Sequence, residues 1–324
     1  MTDPVLSIRN LTVEIPTRAG IIKPVDGVSY DIQKGEILGV VGESGAGKSM
    51  AGNAVIGLLN PPAHIAGGEI WLNGTRIDPL QGEAMRRLRG KHIGMIFQDP
   101  LTSLNPLLTI GDQLVETMLT HLDLTTAEAE ARAVAALEEV GIPGAAERID
   151  SYPHEFSGGM RRRVVIALAL CAEPSLVTAD EPTTALDVSV QAQIISLLKR
   201  LCRERGTAIM LITHDMGVIA ETADRVAVMY AGRLAELGAV RDVVTGPQHP
   251  YTQGLMASTP LASLGQSRLR QIPGSMPRLT EVPEGCAFHL RCEYAQEKCR
   301  MAPAPDMSGG RAACWFPIQA EATA

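Results

Sequence analysis

The sequence predicts an α/β fold with a mainly parallel sheet built around a single phosphate-binding loop. Three observations carry that prediction. Gly42-Glu43-Ser44-Gly45-Ala46-Gly47-Lys48-Ser49 is a complete G-x-x-x-x-G-K-S motif. It stands between an apolar run, Ile37 to Val41, and a helix-compatible segment, Met50 to Leu59, which is the strand–loop–helix setting the motif requires. Further on, apolar strands alternate with helical stretches, as in a parallel sheet with crossover helices.

Taken in order, residues 5 to about 32 are β-rich, with strands expected at Val5–Ile8, Leu11–Ile15 and Val28–Ile32. Gly68 to Gly74 has the pattern of a short strand ending in a turn. Residues 111–141, 158–172 and 188–204 repeat their apolar positions at helical spacing. Ser175–Ala179 and Thr207–Thr213 are apolar strands, and the helical block at about 100–172 is expected as a subdomain inserted into the core. Nine of the 21 prolines lie at or beyond Pro247, so the last part of the chain should be irregular and should not continue the sheet. The expected domains are therefore 1–246 and a small extension, 247–324.

With 324 residues the chain can bury a sizeable core. Its first residues carry an acid and no apolar signal segment, and its longest apolar run, Val164 to Ala172, is too short to cross a bilayer. Any membrane role must run through partner subunits. A net charge of −7 and a pI near 5.6 argue against a large nucleic-acid footprint. Without an export signal, the six cysteines point to a reducing compartment. Cys171 and Cys202 lie alone in helical patterns and should be buried small hydrophobes.

The chemistry begins at the phosphate loop. Its glycines let backbone N–H groups turn toward phosphate oxygens, Lys48 is placed to reach the β/γ-phosphates, and the Ser49 hydroxyl is placed for Mg²⁺. A glycine-rich turn can also be purely structural, but here every constrained position is filled in the right context. Leu176 to Asp180, followed by Glu181, is a strand ending in two carboxylates. Asp180 suits Mg²⁺ and Glu181 suits an attacking water. Alone, this pair would be an ordinary acidic strand end. Ser157-Gly158-Gly159 opens a helix, with Ser157 as its cap and exposed N–H groups forming an anion site. Gln98 and His214 each close an apolar strand, where ligands gather in α/β sheets.

Together these residues closely resemble the ATP-binding subunit of an ABC transporter, over about residues 5–245. The resemblance makes residues 42–49 Walker A, with Gly42, Ser44, Gly45, Gly47, Lys48 and Ser49 binding ATP. It makes Gln98 the Q-loop glutamine, Ser157, Gly158 and Gly159 the signature, and Leu176–Asp180 Walker B. Glu181 becomes the catalytic glutamate, Ala185-Leu186-Asp187 the D-loop and His214 the switch histidine. Ser49, Gln98 and Asp180 would hold Mg²⁺. It also implies a head-to-tail dimer in which each signature serves the partner's ATP. Three departures stand out: Thr178 in an otherwise apolar Walker B strand, Arg162 where glutamine is frequent, and Ile22 where an adenine-stacking aromatic usually stands. A missing aromatic implies weaker contact with adenine, or an aromatic supplied from elsewhere.

Gln98 to Pro106, Tyr152 to Arg161 and the motifs His249-Pro250-Tyr251-Thr252, Ile272-Pro273-Gly274 and Gly285–Cys292 look like the dipeptide/oligopeptide importer ATPases. That resemblance implies a peripheral protein on the cytoplasmic face of the cell membrane. Its partners would be a second, homologous ATPase subunit, two permeases and an extracytoplasmic binding protein, with no nucleic acid. It covers the tail as an importer-type extension, in which Cys286, Cys292, Cys299 and Cys314 match ligands of a [4Fe–4S] cluster. Their C-x5-C-x6-C-x14-C spacing alone leaves a cluster, zinc and free thiols all open. Other cargoes of the same machine (nickel, glutathione, opines, oligosaccharides) also stay open. So do a soluble ABC ATPase of repair, translation or iron–sulfur assembly, and a tail that senses iron or redox state.

Overall fold

The computed structural model describes residues 3–184, 187–258, 271–307 and 310–318. The first half of the chain forms β1 (Leu6–Thr17), β2 (Gly20–Ile32), β3 (Ile37–Val41), α1 (Lys48–Val55), β4 (His64–Leu72) and β5 (Thr75–Arg76). There follow α2 (Gly82–Leu88), β6 (Ile93–Ile96), α3 (Pro100–Ser103), α4 (Ile110–His121), α5 (Thr126–Glu139), α6 (Ala145–Arg148) and α7 (Gly158–Leu170). The second half runs β7 (Leu176–Asp180), α8 (Val188–Arg205), β8 (Ala208–Ile212), α9 (Met216–Thr222), β9 (Arg225–Tyr230) and β10 (Arg233–Ala239). It ends in α10 (Val240–Thr245), α11 (Pro250–Ala257) and α12 (Glu297–Met301). The α/β class expected from the sequence is the class observed.

The backbone divides into two compact units, the first comprising residues 1–5, 32–36 and 79–211, the second 6–31, 37–78 and 212–324. In the second unit, β2-β1-β4-β5 form an antiparallel sheet and β3 pairs parallel with β9, which pairs antiparallel with β10. All five residues of β3 are buried, as a strand covered on both faces demands. The sequence suggested two separate strands before residue 16, whereas β1 runs continuously with a bulge between Arg9 and Thr12. Asn10 takes φ 50 there, a left-handed conformation that asparagine tolerates. Opposite it lies Gly68, where any side chain would collide with the Arg9 and Asn10 carbonyls.

In the first unit β6 lies parallel to β7, with Ile96 level with Ala179, and β8 flanks β7. β7 and β8 are wholly buried. Each buried Val, Leu or Ile contributes about 1.5–3 kcal/mol relative to exposure. Thr178 is also fully buried, and among the described residues its hydroxyl has no hydrogen-bond partner. The helical stretch expected at 111–141 is two helices. Thr109 with Asp112 opens α4 and Thr125 with Glu128 opens α5, each a reciprocal capping box. Cys171 and Cys202 are buried as anticipated.

The tail is mostly irregular, with short helical turns, but it does return to the sheet. Ala312 bridges Glu236 of β10, the Ala313 N–H donates to the Ala235 carbonyl at 2.8 Å, and the Leu237 N–H donates to the Arg311 carbonyl at 2.9 Å. β10 is an edge strand of its unit, and an unpaired edge accepts a further extended segment.

Candidate functional site

In the second unit, β3 delivers the chain directly into the phosphate loop. Gly42 has φ 154 and Gly47 φ 101, and a side chain on either would strike backbone, the Met229 carbonyl in one case and the Pro24 carbonyl in the other. Glycine is therefore obligatory at both positions. The Gly232 N–H donates to the Ala46 carbonyl at 3.0 Å and braces the loop from behind. Lys48 is buried, and its Nζ donates to the carbonyls of Gly42 at 2.9 Å and Glu43 at 3.0 Å. The ammonium thus lies across the loop on neutral acceptors that a phosphate can replace. Ser44, Gly45 and Ser49 are exposed. The Thr213 N–H donates to the Val40 carbonyl at 3.2 Å, so the exposed His214, one residue further on, stands at the end of β3 where the loop begins.

In the first unit, the parallel register of β6 and β7 sets Gln98 beside Glu181. Gln98 Nε2 donates to Glu181 Oε2 at 3.1 Å, and the Thr184 hydroxyl donates to the same oxygen at 2.7 Å. Glu181 takes φ 47, a strained conformation for a side chain of its size and one that gathers at functional sites. Asp180, one residue earlier, is buried at the strand end.

Ser157 caps α7, accepting from the Met160 N–H at 3.3 Å. Ser157 and Gly158 are exposed. A Cβ on Gly158 would meet nothing within 4 Å, and its φ is not left-handed. Among the described residues, nothing requires glycine there. Asp187 caps α8 through its Oδ1, which accepts from the Val190 N–H and the Ser189 hydroxyl, both at 2.9 Å. Those bonds hold its carboxyl below the usual range. Ala185 and Leu186, the rest of the expected D-loop, fall outside the described residues.

Arg162 has a structural role that the sequence did not reveal. Its side chain is buried, and Nη1 donates to the carbonyls of Phe97 at 3.2 Å and Gln98 at 2.7 Å while Nη2 donates to that of Thr184 at 3.2 Å. One guanidinium thereby ties the segment carrying Gln98 to the segment that follows Glu181. Burial pushes its pKa down, partly opposed by the Asp99 carboxylate.

Comparison with known proteins places the chain in a family. The profile of the ABC transporter family matches residues 25–184, and that of the oligopeptide/dipeptide transporter C-terminal region matches residues 235–299. The oligopeptide transport ATP-binding protein OppD of Bacillus subtilis is 50% identical over 294 residues, covering 90% of this chain and 82% of that protein. This chain belongs to the ATP-binding proteins of oligopeptide/dipeptide ABC transporters. OppD of Escherichia coli is 46% identical over 319 residues, covering 98% of this chain and 94% of its own length. Among solved structures, a dimeric ATP-binding cassette in a post-hydrolysis state bound to ADP and Pi superposes with a TM-score of 0.66 at 27% identity, over 73% of this chain and 99% of that one.

The extension typical of this transporter class is anchored on a buried acid. Glu236 is fully buried, and its carboxylate accepts from the N–H groups of Gln248 at 3.0 Å and His249 at 2.9 Å and from Arg311 Nε at 3.1 Å. One side chain thus fastens both the start and the end of the extension. Cys286, Cys292, Cys299 and Cys314 line one small cavity together with His249, Phe288 and Trp315. Burial pushes the Cys286 and Cys292 thiols up, and Cys314 to about 11, with the neighbouring sulfurs adding to the rise. Among the described residues, no three His, Cys, Asp or Glu side chains are arranged closely enough to hold a metal ion. The sequence brought the four thiols to one place, but it did not reveal Glu236 or Arg311.

Proposed function

We propose that this chain is the ATP-hydrolysing subunit that energises an ABC importer of di- and oligopeptides across the cytoplasmic membrane. The observation that carries the catalytic part is Glu181, held at a buried strand end in a strained backbone and oriented by Gln98 and Thr184. The cargo class rests on the relatives, whose names state oligopeptide and dipeptide transport.

In this reading the triphosphate takes the place of the Gly42 and Glu43 carbonyls as partner of Lys48, while Gly45, Gly47 and Ser44 present loop N–H groups to it. By the resemblance, Mg²⁺ would take the Ser49 hydroxyl, the Gln98 amide oxygen and the Asp180 carboxylate, hard oxygen donors of the kind it prefers. Such an ion would supply charge neutralisation on the phosphoryl oxygens. Glu181 accepts the proton of the attacking water, and His214 stabilises the transferred phosphoryl group. Ser157, Gly158 and Gly159 serve the nucleotide of a second ATPase subunit. The open space at Gly158 supports this, because among the described residues nothing fills it. Asp187 belongs to the same junction.

Among the described residues, no helix is long and apolar enough to cross a membrane, so attachment runs through two permease subunits. Leu107, 83% exposed, and Tyr152, 41% exposed, are apolar side chains of the helical block available to them. An extracytoplasmic binding protein would supply the peptide. The test is to purify the tagged chain from gently solubilised membranes of its own host. Two permeases, a homologous ATPase and a peptide-binding protein in the eluate are expected. Recovery from the soluble fraction alone, or with repair or ribosomal factors, would refute transport.

Cys286, Cys292, Cys299 and Cys314 are thiol donors of the kind an iron–sulfur centre takes, and we propose that they would close around one on binding it, since as described no three of them are near enough to share a single metal ion. Such a centre would staple a proline-rich tail that has little core of its own. Iron and acid-labile sulfide in near-equal amounts after anaerobic purification are expected. Zinc alone, or neither metal, overturns the cluster.

A further inference from the structure

The extension also reaches the phosphate loop. Arg291 lies in a helical turn, His289–Arg291, bounded by Cys286 and Cys292. Its side chain is only 8% exposed, and Nη1 bonds to both carboxylate oxygens of Glu43 at 2.9 and 3.1 Å. The same guanidinium is fixed from behind. Nε donates to the Pro273 carbonyl at 2.8 Å, Nη1 also donates to the Tyr230 hydroxyl at 3.3 Å, and the group lies 5.8 Å from the Tyr230 ring centre. A second strap meets the same loop residue. Tyr251 is wholly buried, and its hydroxyl accepts from the Glu43 N–H at 2.9 Å.

Glu43 is a carboxylate at the entrance of a loop built to hold a triphosphate, so its charge opposes the ligand. Arg291 cancels that charge through one nitrogen that reaches both carboxylate oxygens, a charge-assisted, part-buried contact. Tyr251 occupies a loop N–H and so fixes which N–H groups remain for phosphate. Both partners belong to the extension, so the extension completes the ATP site electrostatically. We propose that Arg291 is a positioning residue for ATP binding, which neutralises Glu43 and holds the entrance of the phosphate loop.

The inference rests on the phosphate loop binding ATP, and the test separates the two. Fluorescent mant-ATP with Mg²⁺ is titrated into the full chain as wild type, R291Q, E43Q and the double variant, and turnover is measured alongside. R291Q is expected to raise Kd and KM about tenfold, the scale of one unit charge acting across roughly 10 Å of protein, with kcat within about twofold. The double variant is expected to return Kd to within about twofold of wild type, because the opposing charge is gone. An unchanged Kd in R291Q overturns the proposal. So does a double variant as weak as R291Q, which would mean that Arg291 supports only the extension's fold. If R291Q does not fold, E43Q alone decides: an equal or tighter Kd supports the proposal and a several-fold weaker one overturns it. A wild-type chain that binds no mant-ATP refutes the ATP reading itself.

Discussion

Replacing Arg162 tests whether one buried guanidinium holds the hydrolytic half of the site in register. Its three acceptors are backbone carbonyls of Phe97, Gln98 and Thr184. Arg162→Ala leaves all three without this donor, at about 1 kcal/mol each, so a loss of about 3 kcal/mol in unfolding free energy is expected. The same carbonyls flank the groups that orient Glu181, because Gln98 and Thr184 both bond its Oε2. A loss of only about 1.4 kcal/mol of that orientation in the transition state lowers kcat tenfold. Nucleotide affinity should hardly move, since Lys48 and the loop N–H groups lie outside the clamp. Arg162→Gln supplies two N–H donors without a buried charge, and it should retain the fold and most of the turnover. Denaturant unfolding, phosphate release and mant-ATP binding read the three quantities separately. Wild-type stability and kcat in Arg162→Ala would refute the clamp, as would an Arg162→Gln variant no better than Arg162→Ala.

Glu181→Gln should still bind ATP but turn over about 10²–10⁴-fold more slowly, the usual scale for a general base. Near-wild-type phosphate release would remove Glu181 from that role. Glu236→Ala strips a buried carboxylate from Arg311 and from two backbone N–H groups, so a loss of about 3 kcal/mol is expected, with early proteolysis of residues beyond 247. Limited proteolysis matching wild type would contradict it. His249 is buried and its pKa is pushed down from 6.5 to about 4 by desolvation. Its Nδ1 accepts from the Tyr251 N–H, which favours the neutral ring. Between those pH values the unfolded chain binds a proton that the folded chain refuses, so stability falls as the pH drops from about 6.5 to about 4. This one group accounts for about 3 kcal/mol of that fall. Urea midpoints across that range should decline less steeply in His249→Gln, and an identical slope would exclude the histidine.

What the sequence made legible was whatever is decided locally. Gly42 and Gly47 are legible because the loop's own path forces their backbone against Met229 and Pro24, and a motif records such constraints at fixed spacing. The break between α4 and α5 was missed, although Thr125 and Glu128 spell a capping box, because helical periodicity across 111–141 concealed it. Partners distant along the chain left no such trace. Glu236 lies in a strand pattern where a lone acid looks like a solvated position, and its ion-pair partner Arg311 is 75 residues away. Arg291 meets Glu43 across 248 residues. Arg162 could be seen as a departure from its relatives but not understood, because its acceptors are backbone carbonyls and carry no sequence signature.

The two kinds of glycine make the same distinction inside the site. At Gly42 and Gly47 a side chain is excluded by this chain's own atoms, so those positions would keep their glycine even in an isolated subunit. At Gly158 the space is open and the backbone is ordinary, and helix α7 gains nothing from a residue with so low a helix propensity. Its cost falls on the fold and its benefit must arise elsewhere. An exposed helix start with Ser157 as its cap offers N–H groups to an anion, and glycine lets that anion come close. Under the proposed function the phosphate loop would take one nucleotide, and Gly158 would allow the approach of another, brought by a second, homologous ATPase subunit.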